Sequence, residues 1–326
     1  MVPYNNPSFS SGYASRLYEF VESKRLEGYK YNGEVKELQR LDRYFQTHGV
    51  TPADHPEETV YRWLSKRSSE SDKTFSTRNS VYRQFYSYLL SQGDDVLPAP
   101  PNAREKLHGS GFTPYIFTHD EIRRIFDAAD NWQDQSTSYV RCAPLLFRLL
   151  YGTGLRINEA LSLTVGDISL SQKVLLIREA KNDNSRLVPM SRSLSERMEN
   201  YLSLHRYHEE EPFFQYGEHM LFRKNTAYDW FRQTLWRAGI PHRGRGKGPR
   251  LHDIRHTFAV HSLQAAVESG TDPNAFLPIL CTYLGHRRLS ATERYLRLTA
   301  EAYPSVIKAM DGIMDNIIPK VESYEG

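Results

Sequence analysis

The sequence is poor in several features that would place it in a broad class at once. Only two cysteines occur in 326 residues, Cys142 and Cys281. Two thiols 139 positions apart make neither a disulfide framework nor a zinc knuckle, and they read as core thiols. Long apolar runs are missing, since nothing approaches the roughly 20 residues that a membrane-spanning helix needs. The opening segment MVPYNNPSFSSGY lacks the basic and apolar regions of a signal peptide, so the expected location is cytoplasmic. No internal repeat or low-complexity tract is visible. A large charge excess is absent too: 42 Lys and Arg face 39 Asp and Glu, leaving a net charge of +3 that does not by itself announce a nucleic-acid partner. With 39% hydrophobic and 25% charged residues, the chain is ordinary globular material, which excludes disorder and fibres and leaves room for two domains.

What is present is uneven. Arginine outnumbers lysine by 30 to 12, and arginine is the planar donor suited to bidentate phosphate recognition. Between Arg223 and Arg255 there are nine basic residues and two acids, a local charge of +7. The centre of that stretch, HRGRGKGPR at 242–250, is a glycine-rich loop carrying Arg243, Arg245, Lys247 and Arg250. It reads either as a loop that follows a polyanionic backbone or as a solvated basic loop. It is not a phosphate-binding P-loop, because Gly248 follows Lys247 where a Ser or Thr is required.

The hydrophobic spacing predicts five segments. Residues 1–11 form an N-terminal extension. Residues 12–93 read as a small domain of four helices, marked by Leu17, Phe20 and Val21, by Leu38, Leu41 and Phe45, by Tyr61 and Leu64 after Pro56, and by Val81, Phe85, Tyr88 and Leu89 after Ser76. Arg78 and Arg83 lie early in the fourth helix, either as nucleic-acid contacts or as an exposed face. Residues 94–114, rich in proline, read as a linker. Residues 115–300 form a second domain that opens on a capping box, Thr118 to Glu121. In it KVLLIRE and RLVPM flank Asn182-Asp183-Asn184 as a hairpin, and further helices are expected near 193–206, 226–238, 252–268, 273–283 and 291–298. Residues 301–326 form a terminal helix or tail in which Ile307, Met310, Ile313, Met314 and Ile317 recur at helical spacing.

Three segments of the second domain stand out together: GTGLRINEALSLTVGDI at 152–168, LHDIRHTFAVH at 251–261 and LGHRRLSATERYL at 284–296. An isolated H-x-x-R box is weak, since about one should arise by chance from 12 His and 30 Arg, and two occur. The order and spacing of the set is strong. Here the sequence resembles the tyrosine recombinase, or phage integrase, family of site-specific DNA recombinases over about residues 112–300. In that family a first arginine sits in a G-x-R-x-x-E box, matched by Gly154, Arg156 and Glu159. A hairpin lysine is matched by Lys181, an H-x-x-R box by His252 and Arg255, an L-G-H by His286, and the nucleophilic tyrosine nine residues later by Tyr295.

The chemistry accounts for the set. Nucleophilic attack on a phosphodiester builds charge on the non-bridging oxygens, which preorganised cations stabilise most in the transition state. Arg156 and Arg255 would supply that clamp, Tyr295 the nucleophile, Lys181 the proton for the departing 5′ oxygen, and His252 and His286 hydrogen bonds to the phosphate. No metal and no cofactor are called for. The bland readings are that Arg156 pairs with Glu159, that Lys181 merely solubilises a hairpin, and that Glu159, Asp253 and His256 support their neighbours. His252 and His256 also stand at i and i+4 as in zinc proteases, but Asp253 is too short for the general base and Arg255 would crowd a metal.

The resemblance implies a mainly α fold with a small β-sheet or hairpin, in two domains that form a C-shaped clamp around DNA. It implies a 3′-phosphotyrosyl intermediate, strand exchange through a Holliday junction, double-stranded DNA with a specific site as partner, a homotetramer on two sites, accessory recombination proteins and no membrane. The tail would dock on a neighbouring protomer or pack on its own domain. A bacterial or phage-type, nucleoid-associated recombinase of a transposon, phage or resolution system fits best. The rival readings are a type IB topoisomerase and an inactive DNA-binding regulator of the same fold.

Overall fold

The computed structural model describes residues 7–94, 97–98, 113–132, 137–178, 185–203, 208–216, 220–242, 248–286 and 289–303. The chain divides into two compact units, Met1–Phe112 and Thr113–Gly326. In the first, α1 (Ala14–Leu26), α2 (Asn32–Thr47), α3 (Glu57–Leu64) and α4 (Asp72–Ser91) close around an aromatic core. Phe20, Phe45 and Phe85 are fully buried there, and Phe20 and Phe85 meet with ring centroids 5.5 Å apart. Each such ring contributes about 1.5–3 kcal/mol by leaving water. The extension is anchored to this unit, because the backbone N–H groups of Ser10 and Ser11 both donate to buried Asp42 at 2.9 Å.

Two expectations for this unit are corrected. The fourth helix starts at Asp72 rather than after Ser76, because the Ser71 side chain accepts the Thr74 N–H and caps the first turn. The third helix buries Val60, Trp63 and Leu64, while Tyr61 is 45% exposed on its other face.

The second unit opens with α5 (His119–Asp130), whose capping box joins Thr118 and Glu121 as the spacing predicts. Helices α6 (Thr137–Thr153) and α7 (Ile157–Leu161) follow, then a 3-10 turn and the strands β1 (Ile168–Ser169), β2 (Val174–Ile177) and β3 (Arg186–Pro189). These three strands form one antiparallel sheet in the order β1-β2-β3. The expected hairpin is its β2–β3 pair, with Leu175 opposite Val188 and Ile177 opposite Arg186, so that Leu175, Ile177 and Val188 face the core. The hairpin tip with Lys181 lies outside the described residues.

Next come α8 (Arg192–Ser203), the short pair β4 (Gln215–Tyr216) and β5 (Met220–Leu221), and α9 (Lys224–Arg237), α10 (Asp253–Glu268), α11 (Pro273–Leu284) and α12 (Ser290–Ala302). Helix α10 is the central element. It buries eleven of its sixteen residues, including Arg255, His256 and His261. Cys142 is a core thiol that burial pushes above its ordinary range, whereas Cys281 is only half-buried, with its sulfur 3.5 Å from the His286 carbonyl. Among the described residues no helix is long and apolar enough to cross a membrane.

Candidate active site

Two left-handed glycines set the backbone of the site. Gly154 (φ 60) ends α6 and turns the chain into α7, and Gly285 (φ 65) caps α11. A side chain at 154 would lie 2.4 Å from Phe258, so both the conformation and the space demand glycine. The turn at Gly154 leaves Arg156 at the N-cap of α7, where its N–H donates to Glu159 Oε2 at 2.8 Å and its Nη1 to Oε1 at 2.7 Å. Arg156 still has 39% of its side chain exposed. The pairing with Glu159 therefore coexists with a partly exposed side chain.

The cap at Gly285 leaves the last carbonyls of α11 without partners inside the helix. Three arginines take them. Arg186 Nε donates to Tyr283 O at 3.0 Å, Arg255 Nη2 to Leu284 O at 2.6 Å and Arg156 Nη2 to Gly285 O at 3.1 Å. The same three arginines surround Glu159. Arg186 Nη1 and Nη2 reach its two oxygens at 3.2 and 3.0 Å, and Arg255 Nη1 stands 3.8 Å from Oε2 while donating to Gly154 O at 2.8 Å.

Charge at this point is unbalanced. Among the described residues, three guanidiniums meet one carboxylate and a helix C-terminus, whose dipole is worth roughly half a negative charge. Burial pushes the Glu159 carboxyl up, but hydrogen bonds from Arg186 and from the Arg156 N–H outweigh it and keep the carboxyl below its ordinary range. Arg255 is only 3% exposed, and burial together with the neighbouring Arg156 lowers its pKa to about 10. It stays charged at neutral pH, in a setting that an added anion would stabilise.

Tyr295 lies on α12, fully buried, with its hydroxyl 3.0 Å from His256 Nδ1. The His286 ring lies nearly parallel to that of Tyr295, centroids 6.3 Å apart, and is held through Nδ1 to the Thr292 hydroxyl at 2.8 Å. His252 is exposed at the N-cap of α10, edge-on to His256 at 4.9 Å. Asp253 is 1% exposed and receives the Arg250 N–H at 2.8 Å and Nη2 at 3.0 Å, which fixes the entry into α10.

The fold thus gathers Arg156, His252, Arg255, His286 and Tyr295 around the ends of α7, α10, α11 and α12. Lys181, Arg243, Arg245 and Lys247 lie outside the described residues. Arg83 is half-buried, and Arg250 is tied to Asp253 with 41% of its side chain exposed. Arg78 is corrected. It is 3% exposed, and its guanidinium is enclosed by Glu70 and by the carbonyls of Trp63 and Ser65, so it braces the first unit and has no face for DNA. Sequence reading missed Arg186 and the bond from His256 to Tyr295. The latter had a signal, since His256 directly follows the H-x-x-R box on the buried helix.

The phage integrase family model matches residues 116–302. The chain belongs to this family. Tyrosine recombinase XerD of Shewanella oneidensis is 31% identical over 290 residues, covering 86% of this chain and 89% of the relative. Among solved structures, XerH site-specific recombinase bound to a palindromic difH substrate has the same fold, with a TM-score of 0.66 at 14% identity over 93% of this chain and 90% of that one. A lambda integrase tetramer bound to a Holliday junction matches with a TM-score of 0.60 at 15% identity, over 86% of this chain and 76% of the other. The protein is a tyrosine recombinase, and at the level of its family its function is site-specific recombination of DNA.

Proposed function

We propose that the arginine-rich end of α11 binds one scissile phosphate of duplex DNA and that Tyr295 attacks it. The observation that carries this reading is the surplus of guanidinium over carboxylate charge among the described residues, beside a tyrosine at the family's nucleophile position. Arg156 and Arg255 grip the two non-bridging oxygens, where charge grows as the reaction proceeds. The Tyr295 hydroxyl gives its proton to a site histidine as its oxygen bonds to phosphorus, the bond from phosphorus to the 5′ oxygen breaks, and Lys181 gives that oxygen a proton. The 3′-phosphotyrosyl bond conserves the phosphodiester, so a second 5′ hydroxyl reverses the step and strands are exchanged through a Holliday junction. His252 and His286 hydrogen-bond the phosphate. Because Tyr295 is fully buried on His256, its hydroxyl leaves that bond before attack.

On this reading residues 12–93 form a core-binding domain, 94–114 a linker and 115–300 the catalytic domain, the two domains closing as a C-shaped clamp. Arg83, Arg243, Arg245, Lys247 and Arg250 contribute DNA contacts, and the lambda integrase tetramer on its junction is the pattern for a homotetramer on two sites. The tail at 301–326 couples protomers, and the fit is to a cytoplasmic enzyme of a transposon, phage or resolution system. The test is a nicked duplex that traps the covalent product. Wild type gives a slow-migrating adduct on a denaturing gel and Tyr295→Phe gives none; an equal adduct from both removes the nucleophile.

A further inference from the structure

Arg186 belongs to none of the motif positions, yet its guanidinium is bonded to the site's framework through every nitrogen. Its three donor nitrogens all have partners: Nη1 and Nη2 on the two Glu159 oxygens at 3.2 and 3.0 Å, and Nε on Tyr283 O at 3.0 Å. Its side chain is 11% exposed, against 39% for Arg156. Gly285 is shaped around it, since a Cβ there would stand 2.7 Å from Arg186 Nη1. Arg186 also opens β3 opposite Ile177, so it fastens the base of the hairpin to Glu159 and to the end of α11.

We propose that Arg186 is a positioning residue that keeps Glu159 satisfied while Arg156 turns its donors to phosphate. The inference rests on the clamp reading above. Glu159 Oε1 receives Arg156 Nη1 at 2.7 Å and Arg186 Nη1 at 3.2 Å. When Arg156 takes a phosphate oxygen, Arg186 remains on both carboxylate oxygens, so no buried carboxylate is left bare. Without Arg186, Glu159 would compete with phosphate for the Arg156 guanidinium, and the clamp would stay closed on protein. Lysine cannot replace it. One ammonium does not span two carboxylate oxygens and a carbonyl in the fixed fork that a guanidinium offers.

The experiment uses the full chain and a nicked duplex carrying a site recovered by binding selection from random duplexes. Binding and the single-turnover rate of adduct formation are measured for wild type, Arg186→Lys, Glu159→Gln and the double variant, with thermal unfolding of each. Arg186→Gln is a second variant should the lysine form fold poorly. Arg186→Lys is expected to bind within about threefold of wild type and to form adduct about 10- to 100-fold more slowly, the scale on which small misplacements act. Added to Glu159→Gln, it costs less than about threefold more, because the charge it serves is gone. The inference is overturned by wild-type adduct formation in Arg186→Lys, by an equal cost in both backgrounds, or by equal losses of binding and cleavage. Arg156→Ala and Tyr295→Phe separate the two levels. Adduct from either at the wild-type rate removes the clamp reading itself, whereas inactivity of both beside a fully active Arg186→Lys removes only the role of Arg186.

Discussion

Arg78 in the first unit and Arg255 in the second are equally buried, each 3% exposed, and their surroundings differ in one respect. Arg78 holds both oxygens of Glu70, which the Arg67 N–H also reaches at 3.3 Å. Glu70 takes its Nε at 3.0 Å and Nη2 at 2.8 Å, and the Trp63 ring lies 5.1 Å from the guanidinium. Arg255 shares Glu159 with Arg156 and Arg186, and its nearest partners are the neutral carbonyls of Gly154 and Leu284. A buried arginine that spans both oxygens of a carboxylate at hydrogen-bond distance is complete and holds the fold together. A cluster in which arginines outnumber carboxylates among the described residues has a use for an anion.

The comparison breaks most directly through single substitutions with opposite readouts. Arg156→Ala is expected to lower the rate of covalent adduct formation by about 10²–10³-fold, as loss of a transition-state donor does, with little change in thermal stability. Arg78→Ala reverses the pattern. Stranding Glu70 in the first unit costs about 3–5 kcal/mol on denaturant unfolding, while the folded fraction still cleaves. If Arg78→Ala abolished cleavage in folded protein, or Arg156→Ala unfolded the chain, the distinction between matched and surplus charge would fail.

A smaller effect sharpens it. Gly285→Ala adds a methyl 2.7 Å from Arg186 Nη1 at a left-handed position. About 1 kcal/mol of backbone strain should appear in the melt, and adduct formation should slow by roughly tenfold as the cluster shifts. Wild-type kinetics would show that the cluster tolerates displacement.

An effect absent at neutral pH and seen only on acidification concerns a buried group kept neutral. His261 lies between the Tyr151 and Tyr303 hydroxyls, 2.8 Å from each, with the His119 ring stacked 3.9 Å away. Burial and His119 lower its pKa to about 4. The unfolded chain therefore binds a proton between roughly pH 6.5 and 4 that the folded chain refuses, so this contribution is whole above pH 6.5 and declines toward pH 4. The acid-side decline should be shallower in His261→Gln by up to about 3 kcal/mol. Parallel curves for the two proteins would remove this role.

Much of this was legible in the residues, and what was hidden follows a physical pattern. The capping box at Thr118 and Glu121, the β2–β3 hairpin and the Gly154–Arg156–Glu159 box depend on residues near one another in sequence, so periodicity and spacing expose them. The family match was visible because its motifs keep order over a long span. Arg78 read as a surface residue because its partner, Glu70, lies across a turn, where no helical period links them. Arg186 was hidden for the same reason: Glu159 and Tyr283 reach it from 27 and 97 positions away. Strands β4 and β5 have two residues each, too few to show any alternation.

Locating the covalent bond decides whether the surplus charge serves a phosphate joined to Tyr295. The adduct trapped on a nicked duplex is digested with trypsin and nuclease, and the nucleotide-bearing peptide is identified by mass spectrometry. The account predicts the modification on the fragment released between Arg294 and Arg297, at Tyr295. A nucleotide on any other residue, or the same adduct in Tyr295→Phe, contradicts it.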